Sequence, residues 1–391
     1  MNRSTSRDTD AFRPDDWLRI EVARDALEHN LRLFRDLVPQ STRLMAVVKA
    51  DGYGHGLVPA AHAFLAGGAD VLGVHYLDEV RRLRAAGIDT DILVLGPLRT
   101  DAAAEALRLG AEVTVASREA VSAVVEAARR CGRARVHLKV ETGVCRQGIA
   151  LDEVAPVLNE LTTAPEVELV GLSSHFADIE DTTDHSFAEK QQARFEQFRQ
   201  ALAEGGFPEL CLHMSCSAAT ILWSGAHRDL ARVGIAAYGF WPSRETLVSA
   251  RAHGQNQLTL RPAVTWKTRV AQIKPWPEGQ TVGYGRTWKA KFDSRIAVLP
   301  LGYADGYPRL LSNRAEVLIG GKRAPIRGRI CMNLCMADVT HIETARVGDE
   351  VVLLGRQGED EIRAEQLAEW AGTIPYEVLT WPGATWRRVT I

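Results

Sequence analysis

Between about Arg43 and Ile235, short β-branched apolar segments alternate with amphipathic stretches, and this alternation constrains the fold more than any other feature. Eight segments are predicted strands: Leu44–Ala50, Val71–Tyr76, Ile92–Gly96, Glu112–Ala116, Arg135–Glu141, Glu168–His175, Leu210–Met214 and Leu230–Ile235. Apolar spacings of three and four predict helices between them: Leu57–Leu65, Asp78–Ala86, Asp101–Leu109, Arg118–Arg130, Asp152–Leu161, Glu189–Leu202 and Ala218–Trp223. Eight alternations favour a closed (β/α)8 TIM-like barrel, although a doubly wound open sheet alternates in the same way.

The pattern changes after about His253, where apolar runs alternate with Gly and Pro turns. Predicted strands are Ala263–Ile273, Ile296–Leu301, Ala315–Ile319, Ile330–Val339 and Glu350–Leu354, and only Ala364–Ala371 has a helical pattern. Gly320 and Gly321 lie between two apolar segments and predict a hairpin. We therefore expect an α/β protein with a polar tail (residues 1–15), a barrel (16–255) and a mostly-β C-terminal domain (256–391).

Charge balance and apolar run lengths limit the partners. The 391 residues include 47 Lys+Arg and 49 Asp+Glu, a formal net charge of −2, which gives no basic footprint for nucleic acid. No run of about 18 apolar residues predicts a membrane span, and no apolar signal segment stands near the start, so we expect a cytoplasmic protein. None of the six cysteines forms a C-x-x-C pair, and we interpret them as reduced thiols.

Catalytic groups of a barrel enzyme lie where its strands end. Reactive residues recur at these positions in the predicted strands: Lys49, Lys139, Arg146, His175, Ser215, Ser217, Arg232 and Gly234. A lysine that closes a buried strand loses hydration, which favours its neutral, nucleophilic form and suits it to Schiff-base chemistry. An isolated lysine more often extends its charge into solvent, but the glycine-rich loop after Lys49 favours the functional interpretation.

The segment MAVVKADGYGHG (residues 45–56) resembles the pyridoxal-phosphate attachment motif of alanine racemases. Further matching segments follow in order: KVETGVCR (139–146), SHFA (174–177), HMSCSAA (213–219), RVGI (232–235), VGYGRT (282–287), LGYADGYPR (301–309), GRICMN (328–333) and IPYE (374–377). The resemblance covers the chain from about Trp17. It implies pyridoxal 5′-phosphate as cofactor, a small amino-acid substrate, and a head-to-tail homodimer with shared active sites.

The resemblance also implies two proton-transferring residues. Lys49 would carry the cofactor and serve one face of the substrate α-carbon, and Tyr303 of the second subunit would serve the opposite face. A racemase needs two such groups, because one removes the proton and the other returns it with inverted geometry. His175 and Arg232 would form the hydrogen-bonded network around the tyrosine.

The remaining roles concern cofactor and substrate binding. Arg232 would face the pyridine nitrogen; because a guanidinium cannot accept the ring proton, the ring would be a weaker electron sink. The residues matched to the phosphate site are Tyr53, Ser217, Gly234, Ile235 and Tyr376. Arg146 would contact the cofactor ring oxygen and the substrate carboxylate, and the Met332 amide of the second subunit would position that carboxylate.

Lys139 matches the lysine that is often carbamylated in this family, where the new anion orients Arg146. An ordinary rim cluster of Lys139 with Glu141 is the alternative. His55 and His213 are interpreted as structural histidines rather than catalytic ones.

Three positions depart from the commoner family pattern: Asn333 replaces Asp, Glu141 replaces a shorter residue, and Cys145 precedes the cofactor arginine. Tyr376 is retained, so alanine is the expected substrate, and D-alanine for peptidoglycan is the expected product. A broader-specificity or serine racemase is the main alternative. A non-catalytic pyridoxal-phosphate-binding protein would lack the second domain, and a metal-dependent aldolase or dehydratase would need a His/Cys cluster that the C-terminal domain does not show.

Overall fold

The computed structural model describes residues 17–383 and 386–391, so the predicted polar tail lies outside the described residues. The chain forms two compact units: Asp25–Arg261, and Pro262–Ile391 together with the segment that ends at Arg24. The first described strand, β1 (Arg19–Val22), pairs with strands of the second unit. The sequence analysis did not predict this strand.

The Asp25–Arg261 unit contains eight parallel strands in its described residues: β2 (Arg43–Val47), β3 (Val71–Val74), β4 (Asp91–Val94), β5 (Glu112–Val115), β6 (Ala134–Lys139), β7 (Val167–Ser173), β8 (Cys211–His213) and β9 (Leu230–Val233). Their order is β8-β7-β6-β5-β4-β3-β2-β9. Where the two end strands β8 and β9 approach each other, the Asp229 N–H donates to the Leu212 carbonyl at 3.2 Å. The predicted eight-stranded barrel is confirmed as a nearly closed sheet.

Helices follow the strands of this unit: α1 (Arg24–Leu37), α2 (Lys49–Tyr53), α3 (Leu57–Ala66), α4 (Leu77–Ala85), α5 (Ala103–Arg108), α6 (Arg118–Cys131), α7 (Val154–Thr162), α8 (Ser186–Glu204), α9 (Ser217–Leu222) and α10 (Arg244–Ala252). Helix α6 shows why they form: the Ser117 hydroxyl accepts the Ala120 N–H at 3.2 Å as an N-cap, and apolar residues at helical spacing are buried. Helices α1, α2 and α10 were not predicted.

The prediction that β2 continues to Ala50 is wrong. The strand ends at Val47, and the backbone turns into α2, where Ala50, Asp51 and Gly52 have φ of 55°, 52° and 60°. A left-handed turn cannot continue a pleated strand. Lys49 therefore lies at the start of a tight turn and not within the strand.

The Pro262–Ile391 unit is mostly β: β10 (Val264–Arg269), β11 (Gln272–Trp276), β12 (Thr281–Val282), β13 (Trp288–Lys289), β14 (Ser294–Leu299), β15 (Glu316–Ile319), β16 (Lys322–Pro325), β17 (Cys335–Asp338), β18 (Glu350–Gln357), β19 (Asp360–Ile362) and β20 (Arg387–Thr390), with helices α11 (Ala364–Ala371) and α12 (Pro375–Leu379). The main sheet has the order β16-β15-β18-β10-β1-β20, with β19 beside β18. Strands β11-β14-β17 form a second sheet, and β12 pairs with β13.

Several C-terminal predictions need correction. The segment predicted as one strand, Ala263–Ile273, is divided between β10 and β11, and of Ile330–Val339 only Cys335–Asp338 is strand. Helix α12 adds to the single predicted helix. The hairpin is confirmed, because Ile319 pairs with Lys322 across Gly320 and Gly321. No helix within the described residues has the length and apolar character to cross a membrane.

Candidate active site

The turn that carries Lys49 is held by side chains from outside it. Left-handed φ costs a non-glycine residue about 1–2 kcal/mol, and here Ala50 and Asp51 both adopt it. The Glu79 carboxylate accepts the Ala50 N–H at 2.8 Å, and the Asp51 carboxylate accepts from Arg82 at 2.7 Å. Tertiary contacts therefore stabilise a backbone that local propensity disfavours.

The Lys49 amine is partly buried among other cations. Its pKa is lowered from the usual value, mainly by burial and then by the charge of Arg146, with a further contribution from Arg232. Both effects favour the neutral amine, which is the nucleophilic and proton-accepting form.

Arg232, in β9, is 5% exposed, and its guanidinium donates to acceptors at the neighbouring strand ends. Nη2 donates to the carbonyls of Ser174 and Met214 at 2.8 and 3.2 Å and to His175 Nδ1 at 3.1 Å. Burial lowers the pKa of Arg232 to about 10, so the side chain still carries its charge at neutral pH. Burial, Lys139 and Arg232 lower the pKa of His175 well below its ordinary value, so its imidazole is neutral.

A buried chain of hydrogen bonds continues from Arg232 through the barrel. Its Nη1 donates to His213 Nδ1 at 2.7 Å; His213 Nε2 lies 2.8 Å from His137 Nδ1, and His137 Nε2 lies 2.8 Å from the Glu112 carboxylate. Because a guanidinium only donates, both imidazoles must carry their proton on Nε2. Arg135 pairs with the same Glu112 carboxylate at 2.5 Å.

His137 and Glu112 were not among the site residues predicted from the sequence. The available signal was a histidine between Val136 and Leu138 in an otherwise apolar strand, because a buried polar side chain requires a partner. His213 lies in this chain, where its Nδ1 accepts from Arg232.

Ser217, Gly234 and Tyr53 form a small polar cradle. The Ser217 hydroxyl accepts the N–H of Gly234 at 3.0 Å and that of Ala236 at 3.4 Å. A Cβ on Gly234 would lie 2.6 Å from the Tyr53 hydroxyl, so only glycine leaves this space open. Tyr53 stacks on Tyr238, with ring centroids 4.8 Å apart. Ile235, fully buried, follows Gly234 at the start of a short 3-10 helix.

Arg146 is exposed on a loop that Glu141 organises. The Glu141 carboxylate accepts the N–H groups of Gly143, Val144 and Arg146 at 2.5, 2.7 and 3.3 Å. Lys139 donates to the Ser174 carbonyl at 3.1 Å instead of bonding Glu141. Burial and the charges of Arg232 and Arg146 lower the pKa of Lys139 well below its ordinary value.

Tyr303 and Met332 are brought together within the Pro262–Ile391 unit. The Tyr303 N–H donates to the Cys331 carbonyl at 3.1 Å, and the Ala304 N–H donates to the Met332 carbonyl at 2.9 Å. Both side chains face solvent, with Tyr303 44% and Met332 57% exposed.

Two further positions of this unit bear on the predicted site. The amide of Asn333 donates to both carboxylate oxygens of Asp305 at 3.1 Å, so this departure from the family pattern braces the loop. Tyr376 lies in the short helix α12.

These features describe an α/β-barrel enzyme that carries a lysine amine, a buried guanidinium and a polar cradle where its strands end. Comparisons with known proteins are consistent with this class. Residues 22–242 match the family model "Alanine racemase, N-terminal domain", and residues 263–390 match "Alanine racemase, C-terminal domain".

Individual relatives match along almost the whole chain. The alanine racemase of Desulfovibrio desulfuricans is 40% identical over 376 residues, covering 96% of this chain and 98% of the relative, and that of Syntrophobacter fumaroxidans is 41% identical over 363 residues, covering 93% and 94%. Among solved structures, the alanine racemase of Streptomyces lavendulae matches with a TM-score of 0.89, 35% identity and coverage of 97% and 98%. That of Bacillus anthracis, with bound L-Ala-P, matches with a TM-score of 0.88, 34% identity and coverage of 95% and 94%.

The chain belongs to the alanine racemase family and is an amino-acid racemase. Within the residues that the structure describes, no three His, Cys, Asp or Glu side chains cluster in an arrangement that could hold a metal ion.

Proposed function

We propose that this chain interconverts L-alanine and D-alanine with pyridoxal 5′-phosphate as cofactor, and that the D-alanine serves peptidoglycan synthesis. One observation carries the proposal. The same barrel contains a Lys49 amine whose lowered pKa favours the neutral form and the polar cradle of Tyr53, Ser217 and Gly234. The relatives named above, which are alanine racemases, support alanine as the substrate.

The residues present fit this cofactor. The Tyr53 and Ser217 hydroxyls with the Gly234 and Ile235 amides would hold its phosphate, and a Cβ on Gly234 would fill the space between them. The buried guanidinium of Arg232 would face the ring nitrogen and keep it unprotonated. Once bound, pyridoxal 5′-phosphate would supply the aldehyde that Lys49 attacks and an electron-withdrawing ring that acidifies the substrate α-C–H.

Lys49 and Tyr303 would move the proton. The neutral Lys49 amine accepts the α-proton on one face, and the Tyr303 hydroxyl delivers a proton on the other, or the reverse. Tyr303 would come from a second copy of the chain in a homodimer. Its exposure, together with that of Met332 and Leu334, supports this assignment, because apolar groups facing solvent are available to a partner.

Substrate binding would rest on Arg146 and Met332. The Arg146 guanidinium, positioned by the Glu141 clamp, would bind the substrate carboxylate, and the Met332 amide of the second copy would orient it. Tyr376 would complete the phosphate site. Lys139, whose lowered pKa favours the neutral amine that reacts with carbon dioxide, would be carbamylated and would orient Arg146.

A substrate panel tests the proposal. Purified protein is incubated with single L-amino acids, including alanine and serine, and the products are separated on a chiral column. We expect inversion of alanine, and a failure to invert alanine would refute the substrate assignment.

A Tyr303→Ala variant tests the second base. We expect it to keep the cofactor's visible absorbance, because Lys49 is intact, while racemisation falls at least about a hundredfold. Tyr284→Phe, which alters an exposed tyrosine of the same unit, is the matched control. Full activity of Tyr303→Ala would refute the two-base assignment.

A further inference from the structure

Tyr238 is the last residue of the short 3-10 helix Ile235–Tyr238, which begins directly after Gly234 of the cradle. Its side chain is completely buried. The hydroxyl donates to the Val47 carbonyl at 3.0 Å, at the end of β2 and two residues before Lys49. A buried hydroxyl is stable where it has such a partner. This hydrogen bond therefore fixes the Tyr238 ring relative to the strand that precedes the lysine turn.

The Tyr238 ring also packs against helix α3. Phe64, a completely buried residue of that helix, meets it edge-on, with ring centroids 5.0 Å apart and ring planes at 82°. Edge-to-face contact is one of the favoured arrangements of two aromatic rings. Contacts to β2 and to α3 thus hold the Tyr238 ring in one place.

Tyr53 and His55 both contact this fixed ring. The Tyr53 ring stacks on it, with centroids 4.8 Å apart and planes 29° apart, and the His55 ring lies 4.6 Å from it at 43°. His55 Nδ1 lies 2.9 Å from the Tyr53 carbonyl, and because a carbonyl only accepts, the imidazole donates. Tyr238 therefore supports the Tyr53 side chain directly, and it packs against the histidine that binds the Tyr53 main chain.

Tyr53 needs this support because its own backbone leaves it in an uncommon conformation. Its φ is 50°, in the left-handed region that bulky residues rarely adopt, and Gly54 and Gly56 follow with φ of 80° and 100°. On the other side of its hydroxyl, Gly234 has no Cβ and leaves the space open. The stacked ring of Tyr238 is what restrains the direction in which the Tyr53 side chain points.

We propose that Tyr238 is a positioning residue for the cofactor: its ring holds the Tyr53 hydroxyl in the phosphate cradle, and its own hydroxyl joins that cradle to the strand that leads into Lys49. The inference rests on the proposed function, in which Tyr53 binds the phosphate of pyridoxal 5′-phosphate. Tyr238 acts through Tyr53 and is not a phosphate ligand, because its hydroxyl proton is committed to Val47.

The experiment is a double-mutant cycle in the full chain, freed of cofactor, in which absorbance titration measures the dissociation constant for pyridoxal 5′-phosphate. Tyr238→Met replaces the ring by a flexible apolar chain that adapts to the space it leaves. From the usual strength of an aromatic pair, we expect this change to raise the dissociation constant about three- to tenfold. In a Tyr53→Phe background, where the hydroxyl is already absent, it should raise the constant less than about twofold.

Two further variants separate positioning from general disruption. Tyr238→Phe keeps the ring and loses its hydroxyl, so its dissociation constant should stay within about twofold of the wild-type value. Phe34→Leu, which alters a completely buried aromatic residue of α1, is the matched control. It should lower the free energy of unfolding and leave the dissociation constant unchanged. If Tyr238→Met does not fold, Tyr238→Leu takes its place in the cycle.

Equal effects of Tyr238→Met in the two backgrounds would overturn the inference, because Tyr238 would then act other than through the Tyr53 hydroxyl. An unchanged dissociation constant in Tyr238→Met, or the same constant in Tyr238→Phe as in Tyr238→Met, would also overturn it. A wild-type chain that does not bind pyridoxal 5′-phosphate would refute the proposed function and the inference with it. A chain that binds the cofactor without coupling between the two tyrosines would refute the inference alone.

Discussion

The choice of residue is most restricted at positions where another side chain packs directly against the backbone, because no Cβ fits there. At Gly234, the missing Cβ leaves room for the Tyr53 hydroxyl, and the Gly234 N–H donates to Ser217. Any side chain at this position would push the tyrosine away from the cradle.

Gly234→Ala tests this constraint. Because the new Cβ would stand 2.6 Å from the Tyr53 hydroxyl, we expect the dissociation constant for pyridoxal 5′-phosphate to rise about tenfold or more, measured by absorbance titration. Gly225→Ala is the matched control, since a Cβ there meets nothing within 4 Å. Equal affinity of Gly234→Ala and wild type would show that the cradle does not bind the cofactor.

At Lys49, the functional role was predictable from the sequence but the backbone conformation was not. The apolar run before it and the glycines after it indicated a functional lysine, because both signals are local. The left-handed backbone of Ala50 and Asp51 was not predictable, since it depends on Glu79 and Arg82, which lie far along the chain.

At the scale of elements, strands β6 and β7 depart from regular pairing where the barrel is most polar. Val136 pairs with Leu169, but His137 pairs with Gly171, so Val170 is skipped and β7 bulges. His137 lies across Gly171, where a Cβ would be 2.1 Å from its Nδ1. The bulge and the glycine together admit an imidazole into the sheet.

Gly171→Ala should therefore destabilise the protein by about 2–4 kcal/mol, because the methyl group displaces His137 and breaks its bond to His213. The measurement is the free energy of unfolding by denaturant. In a His137→Ala background, where the ring is gone, the same glycine change should cost less than about 1 kcal/mol. Equal costs in the two backgrounds would mean that the glycine is needed for another reason.

At the scale of the whole molecule, buried histidines link stability to pH. Burial lowers the pKa of both His175 and His213 well below 6.5, with Arg232 adding to both shifts. Between the lowered folded value and 6.5, the unfolded chain binds more protons than the folded one. These imidazoles therefore do not reduce the free energy of unfolding above about pH 6.5. Below that pH the free energy of unfolding falls, by up to about 1.4 kcal/mol per pH unit for each imidazole.

We expect the thermal midpoint of the protein to fall when the pH is lowered from 7 to 5. In His213→Asn, which removes one of the two titrating groups, the midpoint should depend less steeply on pH, whatever its absolute value. His253→Asn, an exposed histidine, should keep the wild-type slope. A wild-type slope in His213→Asn would contradict the assignment of this histidine as a neutral buried group.

Local sequence patterns were sufficient to predict the eight strand segments of the barrel, the change to a β-rich unit and the positions of the motif loops. These features depend on short-range hydrophobic periodicity and on glycine and proline placement, which act within a few residues. The family resemblance followed from local motifs in the same way.

Three other features depend on long-range contacts: the pairing of β1 with the C-terminal strands, the left-handed turn after Lys49 and the hydrogen-bond chain from Arg232 to Glu112. His137 and His213 are 76 residues apart in sequence, yet their ring nitrogens lie 2.8 Å apart. A polar residue within an apolar strand indicates that a partner is needed, but nothing near it in the sequence identifies that partner. The free energy of such contacts comes from partners that meet only after the barrel has closed, because a buried polar group is stable only where a distant residue satisfies it.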